Sequence, residues 1–156
     1  MALSIQSSEF EHGAAIPTIY TCQGDDISPP ISWEGVPEGT QSLALIVHDP
    51  DVPSPDKPVR IWVHWVLYNL PADTAGLSQH TTSAQLPAAT LEGRNDWNRT
   101  GYGGPCPPMG RHRYFFTLYA LDTMLGDLHQ PTKDQLEKAM QGHILAEAEL
   151  IGTYQK

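Results

Sequence analysis

The chain has 156 residues, of which 40% are hydrophobic, and it carries a net charge of −9 at neutral pH. It has no apolar run of the about 18 residues that a membrane-spanning helix needs, and its acidic excess argues against a nucleic-acid or anionic-membrane surface. Residues 1–8 lack the basic start and apolar stretch of a signal peptide, so we expect one domain over residues 1–156, located in the cytoplasm. Cys22 and Cys106 fit that reducing compartment, which does not favour a disulfide between them.

Three segments rich in Val, Ile, Leu and aromatic residues are predicted to be strands. They cover residues 42–48, 61–70 and 113–121. Their nearly continuous apolar character is typical of central strands that are covered on both faces. Between the second and third strands, residues 78–100 form a long, mostly irregular connection, and connections of that length are often functional.

The C-terminal part of the chain predicts one helix and one further strand. Thr132 and Gln135 have the spacing of a capping box, and Gly142 fits the end of the helix that follows them. In residues 146–150, small or apolar residues alternate with acidic ones, which indicates a partly exposed strand. The expected fold is therefore mainly β with a small helical complement.

Side-chain alternation predicts which residues share a face of each strand. In the first strand Asp49 points the same way as the odd-numbered apolar residues, and His48 points the other way. In the third strand His112 and Tyr114 share a face. In the second strand one face is predicted to carry Trp62, His64, Val66 and Tyr68.

Asp49, His64 and His112 are therefore predicted to converge at one end of the sheet, and three kinds of chemistry would suit them. Two histidines and a carboxylate form a known ligand set for iron and zinc, although the chain has no H-E-x-x-H motif. A hydrolase is a second option, with Cys106 and His112 as nucleophile and base. The chain has no G-x-S-x-G elbow, however, and the prolines beside Cys106 do not favour an activated thiol.

Apart from these kinds of chemistry, the three residues could have a purely structural role. Buried histidines are often hydrogen-bonded core residues, and aspartates often make local turns.

Anion capture is the third option. Imidazole groups can donate hydrogen bonds to phosphate oxygens, and Asp49 can fix one ring by binding its far nitrogen. The glycine-rich backbone at 101–104 would offer further N–H donors. Pro107 and Pro108 would form a rigid apolar wall.

Several spaced motifs resemble the phosphatidylethanolamine-binding protein family. They are DPDVP at 49–53, HW at 64–65 and the Gly- and Pro-rich segment 101–114. Shorter agreements lie at 20–22, 27–30, 33–40, 68–71 and 142–146, so the resemblance runs nearly from end to end. It is closest to the bacterial and archaeal branch, often labelled Raf kinase inhibitor-like.

The resemblance implies a large central β-sheet packed against a smaller sheet, with a few peripheral helices including one near the C-terminus. It also implies a cis peptide at Val52–Pro53 and a small pocket for phosphate, acetate or a phosphorylated head group. No established catalytic activity comes with the family, whose eukaryotic members also regulate kinases and other proteins. The residues implied to line the pocket are Asp49, His64, His112, Trp62, Gly104, Pro107 and Tyr114.

Two positions depart from the family pattern. His48 stands where prokaryotic relatives commonly have Asp, but its predicted direction is away from the pocket. Asn98 stands where relatives often have Gly, and Asn tolerates a left-handed backbone better than most residues.

We therefore predict a non-enzymatic binding protein for a small anion such as phosphate, acetate or a phosphoethanolamine-like group. His64 and His112 would donate to the anion, and Asp49 would orient one imidazole. No cofactor, metal, nucleic acid or membrane insertion is expected, while a homodimer and an unidentified protein partner stay open. The alternative is a hydrolase or metal-dependent enzyme that uses the same three residues.

Overall fold

In the computed structural model, which describes all of residues 1–156, the chain forms two antiparallel β-sheets and one α-helix. The five-stranded sheet has the order β6-β4-β3-β7-β8 and the three-stranded sheet the order β1-β2-β5. The predicted mainly β fold with a larger and a smaller sheet is confirmed. The strands are β1 (Ser4–Gln6), β2 (Ile31–Glu34), β3 (Ser42–Val52), β4 (Arg60–Pro71), β5 (Gly76–Leu77), β6 (Leu91–Glu92), β7 (His112–Leu121) and β8 (Ile144–Tyr154).

The three predicted apolar strands correspond to β3, β4 and β7, and β3 lies at the centre of the larger sheet. One face of β3 packs against the smaller sheet, where Leu45 and Val47 share a core with Ile31 and Trp33. The other face carries Ala44 and Ile46 and packs against the helix. Burial on both faces explains why the sequence of β3 does not alternate between apolar and polar residues.

The helix, α1, spans Lys133–Met140 and begins with the predicted capping box. The backbone N–H of Gln135 donates to the Thr132 hydroxyl at 3.2 Å, and the backbone N–H of Thr132 donates to the Gln135 side chain at 3.0 Å. Gly142 follows the helix with a φ of 82°, a conformation that glycine adopts without steric cost. No helix is long and apolar enough to cross a membrane.

Residues 78–100 are mostly irregular, as predicted, with a short 3-10 turn at Ser83–Gln85 and the two-residue strand β6. This connection follows β4 closely, because Gly93 N–H donates to the carbonyl of Val66 and Asp96 N–H to that of Val63. The segment therefore extends the edge of the larger sheet towards the end at which β4 begins.

Strand β4 contains a β-bulge at His64. Val47 of β3 lies opposite Trp65, and the next residue, His48, lies opposite Val63, so His64 is an extra residue on β4. A bulge turns the side chain of the extra residue out of the regular alternation. His64 and Trp62 consequently lie on the side facing the smaller sheet, whereas Val66 and Tyr68 pack on the helix side. The prediction that all four share one face is wrong for Val66 and Tyr68.

Cys22 and Cys106 are joined by a disulfide that links segments 84 residues apart in the chain. The expectation that these cysteines stay unpaired is thus not met. The bond connects the loop before β2 in the smaller sheet to the loop before β7 in the larger one. It is the one disulfide of the chain and cross-links these two loops in addition to the backbone.

Candidate functional site

A cavity of about 370 Å³ lies at the end of the larger sheet where β4 begins and β3 ends. Most of its wall is apolar, and its polar groups come from three neighbouring strands. A larger and more open groove of about 670 Å³ lies nearby beside the start of α1, but no buried polar atom without a partner faces it. The smaller cavity is lined by Asp49, Val52, Trp62, His64, Trp97, Cys106, Pro107, Pro108 and Tyr114.

His64 is fixed in the cavity wall by two hydrogen bonds to Gly103. The ring nitrogen Nδ1 lies 2.7 Å from the carbonyl oxygen of Gly103, and the backbone N–H of Gly103 donates to the carbonyl of His64 at 3.0 Å. The other ring nitrogen, Nε2, is buried and has no partner in the protein. Burial lowers the pKa of His64 to about 4, so the ring is neutral at physiological pH.

Asp49 and His112 form a buried pair beside the cavity. Nδ1 of His112 lies 2.6 Å from Oδ2 of Asp49, and Nε2 of His112 donates to the carbonyl of Met109 at 2.8 Å. The other oxygen of Asp49 accepts the backbone N–H of Asp51 at 2.7 Å. Burial raises the pKa of Asp49, and the hydrogen bond from His112 opposes that rise only in part. Both nitrogens of His112 are thus engaged within the protein.

Tyr114 contributes the second unpartnered polar atom of the cavity. Its side chain is almost fully buried, and its hydroxyl has no hydrogen-bond partner within 3.5 Å, although the Asp49 carboxylate is near enough to contribute to its raised pKa. Burial, followed by the negative charge of Asp49, raises the pKa of Tyr114, so the hydroxyl keeps its proton. The Tyr114 ring meets the His64 ring edge-on, with 5.2 Å between the ring centroids.

Two tryptophans contribute much of the apolar wall. Trp62 from β4 and Trp97 from the 78–100 connection meet edge-on, with their ring centroids 5.6 Å apart. Each ring carries an arginine: the Arg60 guanidinium lies 4.7 Å from the Trp62 centroid, and that of Arg99 lies 5.9 Å from the Trp97 centroid. The tryptophans therefore place two cations beside the cavity.

The loop that contains Gly103 and Gly104 is held against the smaller sheet. The Gly104 N–H donates to the Asp26 carboxylate at 2.7 Å, so neither glycine N–H is free to bind a ligand as the sequence suggested. A Cβ on Gly103 would lie 2.2 Å from the Trp97 ring, and one on Gly104 would lie 2.4 Å from the carbonyl oxygen of Tyr20. These close approaches explain why both positions require glycine.

Asp51 does not face the cavity but anchors the start of β7. It accepts three hydrogen bonds from Arg113, from the backbone N–H at 2.9 Å and from Nε and Nη2 at 3.0 and 2.9 Å. Burial alone would raise the pKa of Asp51, but the hydrogen bonds and charge of Arg113 outweigh it and lower that pKa. The DPDVP segment and the segment around His112 are thus joined by two acid–base pairs.

The structure brings five of the seven predicted residues to the cavity wall: Asp49, Trp62, His64, Pro107 and Tyr114. Gly104 and His112 are not among the lining residues, because Gly104 faces Asp26 and both ring nitrogens of His112 are bonded to protein groups. His48 lies on the opposite face, where its ring stacks on Phe115 with 5.2 Å between centroids. Asn98 has the left-handed φ of 59°, and Val52–Pro53 is cis, as the family resemblance implied.

Sequence reasoning missed three lining residues, Val52, Trp97 and Cys106. Of these three, Trp97 had the clearest signal in the sequence, because a tryptophan in a polar, irregular segment has no local hydrophobic core to pack into. The disulfide also leaves Cys106 without a thiol, which removes the Cys106–His112 form of the hydrolase alternative. No group of three or more His, Cys, Asp or Glu side chains is arranged so that it could hold a metal ion.

Comparison with known proteins identifies the family. A family model described as phosphatidylethanolamine-binding protein matches residues 6–155. A UPF0098 protein of Methanothermobacter thermautotrophicus is 47% identical over 155 residues, which cover 99% of both chains.

Solved structures agree with this family. The crystal structure of CT736 from Chlamydia trachomatis is described as a putative phosphatidylethanolamine-binding protein homolog. It superimposes with a TM-score of 0.89 at 44% identity, and the match covers 99% of this chain and 98% of the other. E. coli YbcL, described as a member of the mammalian PEBP family, gives a TM-score of 0.89 at 30% identity, covering 100% and 99%. The chain therefore belongs to the phosphatidylethanolamine-binding protein family.

Proposed function

We propose that this chain is a non-enzymatic binding protein that holds a small oxyanion or phosphorylated head group in the cavity beside His64 and Tyr114. The observation that carries the proposal is the pair of buried, unpartnered polar atoms in one cavity, His64 Nε2 and the Tyr114 hydroxyl. Buried polar groups are nearly always hydrogen-bonded, so two such atoms in a single cavity point to an external partner.

The size and wall of the cavity favour a ligand with an apolar or extended body. A volume of about 370 Å³ falls in the range of small-molecule sites, which combine mostly apolar walls with a few convergent polar groups. The acid group of the ligand would accept a hydrogen bond from Tyr114 and contact His64. Trp62, Pro107 and Pro108 would contact the remainder.

Charge supports the approach of an anion. The protein has a net charge of −9, yet Arg60 and Arg99 are held beside the cavity on the two tryptophan rings. Cations grouped at a cleft attract anionic ligands even where the net negative charge of the protein repels them. The name of the family, which refers to a lipid with a phosphorylated head group, agrees with this ligand class.

In this proposal Asp49 and His112 position the site. Their bond ties the end of β3 to the start of β7, and those strands carry the cavity residues Asp49 and Tyr114. This role differs from the sequence-based expectation that His112 donates directly to the anion. Regulation of a protein partner through the occupied cavity is a further role that the family resemblance suggests.

A titration of the histidine imidazole resonances, first with phosphate and then with phosphoethanolamine, tests the proposal. Saturable shifts are expected at His64, with smaller shifts at His112, while the exposed rings of His129 and His143 serve as internal controls. Absence of a saturable response at His64 in the folded protein would refute the proposal. Hydrolysis of phosphoethanolamine, followed by ³¹P NMR, would instead revive the enzyme alternative.

A further inference from the structure

A groove of about 670 Å³ lies where the start of β4 meets the start of α1, and it is separate from the cavity described above. The groove and the cavity share no lining residue. Strand β4 divides them: Ile61 and Val63 line the groove on the helix side of the sheet, whereas Trp62 and His64 line the cavity. The groove is therefore a second concave surface, on the other face of the larger sheet.

Hydrogen bonds hold the walls of the groove in fixed positions. The N–H of Arg94 donates to the carbonyl of Pro131 at 2.7 Å, which ties the 78–100 connection to the start of the helix. Val63 binds the same connection twice: its C=O accepts the N–H of Asp96 at 3.0 Å, and its own N–H donates to the Asp96 carboxylate at 2.7 Å. A surface that is rigid before binding loses little conformational entropy when a partner docks.

Three cations line the groove, and two of them have no anionic partner in the protein. Among the arginines only Arg113 forms an ion pair, so Arg60 and Arg94 have no carboxylate partner, although the chain has 18 acidic residues against 9 basic ones. The third cation, Lys133, binds Glu137 at 3.1 Å. The groove therefore presents two guanidinium groups that are free to bind an anion.

The two carboxylates that line the groove have roles in the fold. Asp96 accepts the N–H of Val63, and Asp134 lies in the first turn of α1, where the helix dipole favours a negative charge. Neither forms an ion pair with Arg60 or Arg94. In a protein of net charge −9, arginines left unpaired in a groove point to a partner that supplies the negative charge.

Exposed apolar side chains and an open sheet edge lie beside the arginines. Val59 is 77% exposed and Ile61 is 46% exposed. Hydrogen bonds from the 78–100 connection cover the outer edge of β4 at Val66 and Val63 and end there. The backbone N–H and C=O of Ile61 point to the same edge as those of Val63, because alternate residues of a strand share a hydrogen-bonding direction. An extended segment that pairs with Ile61 would continue the sheet edge past Val63.

We propose that this groove is a docking site for an acidic segment of a partner protein, which adds as a short strand at the free edge of β4. Acidic side chains of the segment bind the guanidinium groups of Arg60 and Arg94, and its apolar side chains contact Val59 and Ile61. Strand addition supplies main-chain hydrogen bonds, while the side chains of the groove select the sequence. A small anion would use only the arginines and leave the apolar edge uncovered, so the combination favours an extended peptide.

Fluorescence anisotropy with labelled synthetic peptides tests the proposal. In the probe, pairs of glutamates alternate with pairs of valines, so that each face of the extended chain carries both residue types. The comparison peptide has lysine in place of every glutamate. We expect saturable binding of the glutamate peptide only, with a Kd below about 1 mM. Binding should weaken at an ionic strength of about 1 M, where the Debye length is about 3 Å.

Hydrogen exchange of the Ile61 amide tests the mode of binding. In the complex this N–H would donate to the peptide backbone, so its exchange with solvent should slow when the glutamate peptide is added. The amide of Leu145, which lies at the start of β8 on the opposite side of the sheet, is the internal control and should not change.

Two variants with matched controls locate the binding surface. Arg94→Glu should weaken binding at least about tenfold, because like charges at an interface repel strongly. Arg111→Glu makes the same change in charge beside Thr153 of β8, at the other side of the sheet, and screening should keep its effect below about twofold. Val59→Ser should also weaken binding, whereas Met124→Ser, beyond the far end of β7, should not. All four substituted side chains are exposed, so the variants should fold.

Every other outcome overturns the proposal. These outcomes are no saturable binding of the glutamate peptide, equal affinity for the lysine peptide, unchanged affinity in Arg94→Glu, and unchanged exchange of the Ile61 amide. Inorganic tripolyphosphate that binds as tightly as the peptide and displaces it would identify a small-polyanion site instead. A protein dimer that dissociates in Arg94→Glu would identify a second copy of the chain as the occupant. None of these results alters the case for the anion cavity, whose lining residues are all unchanged.

Discussion

The Asp49 carboxylate lies 2.6 Å from Nδ1 of His112, and both side chains are almost completely buried. Removal of one member of such a pair leaves the other buried without its partner, which costs about 3–5 kcal/mol. We therefore expect His112→Ala to lower the free energy of unfolding by that amount, measured by urea denaturation. Asp49→Asn should cost less, because the amide keeps the shape and can still bond to the ring. A loss below about 1 kcal/mol for His112→Ala would contradict the positioning role assigned to the pair.

Stability should fall as the pH drops through the weakly acidic range. The pKa values of His64 and His48 are lowered to about 4, first by burial, whereas both histidines titrate near 6.5 when unfolded. The unfolded state therefore binds protons first, and the stability present above pH 6.5 is lost towards pH 4. Each histidine adds about 1.4 kcal/mol per pH unit to that slope.

Denaturation curves at several pH values measure this slope. His48→Gln is the matched variant, because it removes one of the two histidines and leaves the cavity side of the sheet unchanged, so it should halve the slope. An imidazole resonance of His64 that titrates near pH 6.5 in the native protein would show that the ring is not held neutral.

Arg113 should stabilise the protein above the acidic range. The bonds from Arg113 lower the pKa of Asp51 despite its burial, so their contribution is present above the unfolded pKa of about 3.9 and is lost as the pH falls below it. We expect Arg113→Ala to lower the free energy of unfolding at pH 7 by about 2 kcal/mol, with a smaller difference from the wild type near pH 2. Arg111→Ala is the control, because Arg111 bonds only to the Thr153 hydroxyl. Equal losses in the two variants would argue against the Asp51 contact as the cause.

The disulfide should contribute to stability. A bond that closes a loop of 84 residues restricts the unfolded chain, and native disulfides of this kind typically contribute about 2–4 kcal/mol. We expect Cys22→Ser and Cys106→Ser to lower the unfolding midpoint equally, and a reducing agent to lower the midpoint of the wild type but not of the variants. A count of two free thiols in native protein prepared without a reductant would show that the bond does not form.

Local signals account for the parts of the fold that the sequence predicted well. Strand β3 is buried on both faces, and an apolar run of that kind is visible without knowledge of its neighbours. The capping box of Thr132 and Gln135 involves groups three residues apart, so its spacing is enough to predict the start of α1. The family resemblance supplied the cis peptide at Val52–Pro53, which no local pattern of this chain would have required.

The errors arise where the answer depends on how distant segments pair. The bulge at His64 exists only in the register of β4 against β3, so regular alternation assigned Val66 and Tyr68 to the wrong face. Trp97 lines the cavity because its segment extends the sheet edge beyond β6, which its irregular sequence does not predict. The role of His112 depends on the carbonyl of Met109, a backbone group that is invisible in a list of side chains.

The bulge at His64 also makes this cavity residue independent of the pairing of the strands around it. Because His64 is the additional residue between the pairs Val47–Trp65 and His48–Val63, a chain without it could pair β3 and β4 without a register shift at this point. Deletion of this one residue would leave every neighbouring strand residue opposite its present partner while removing the His64 ring from the cavity wall. Loss or gain of this cavity residue is therefore a change of one residue, one that does not require the sheet to be rebuilt.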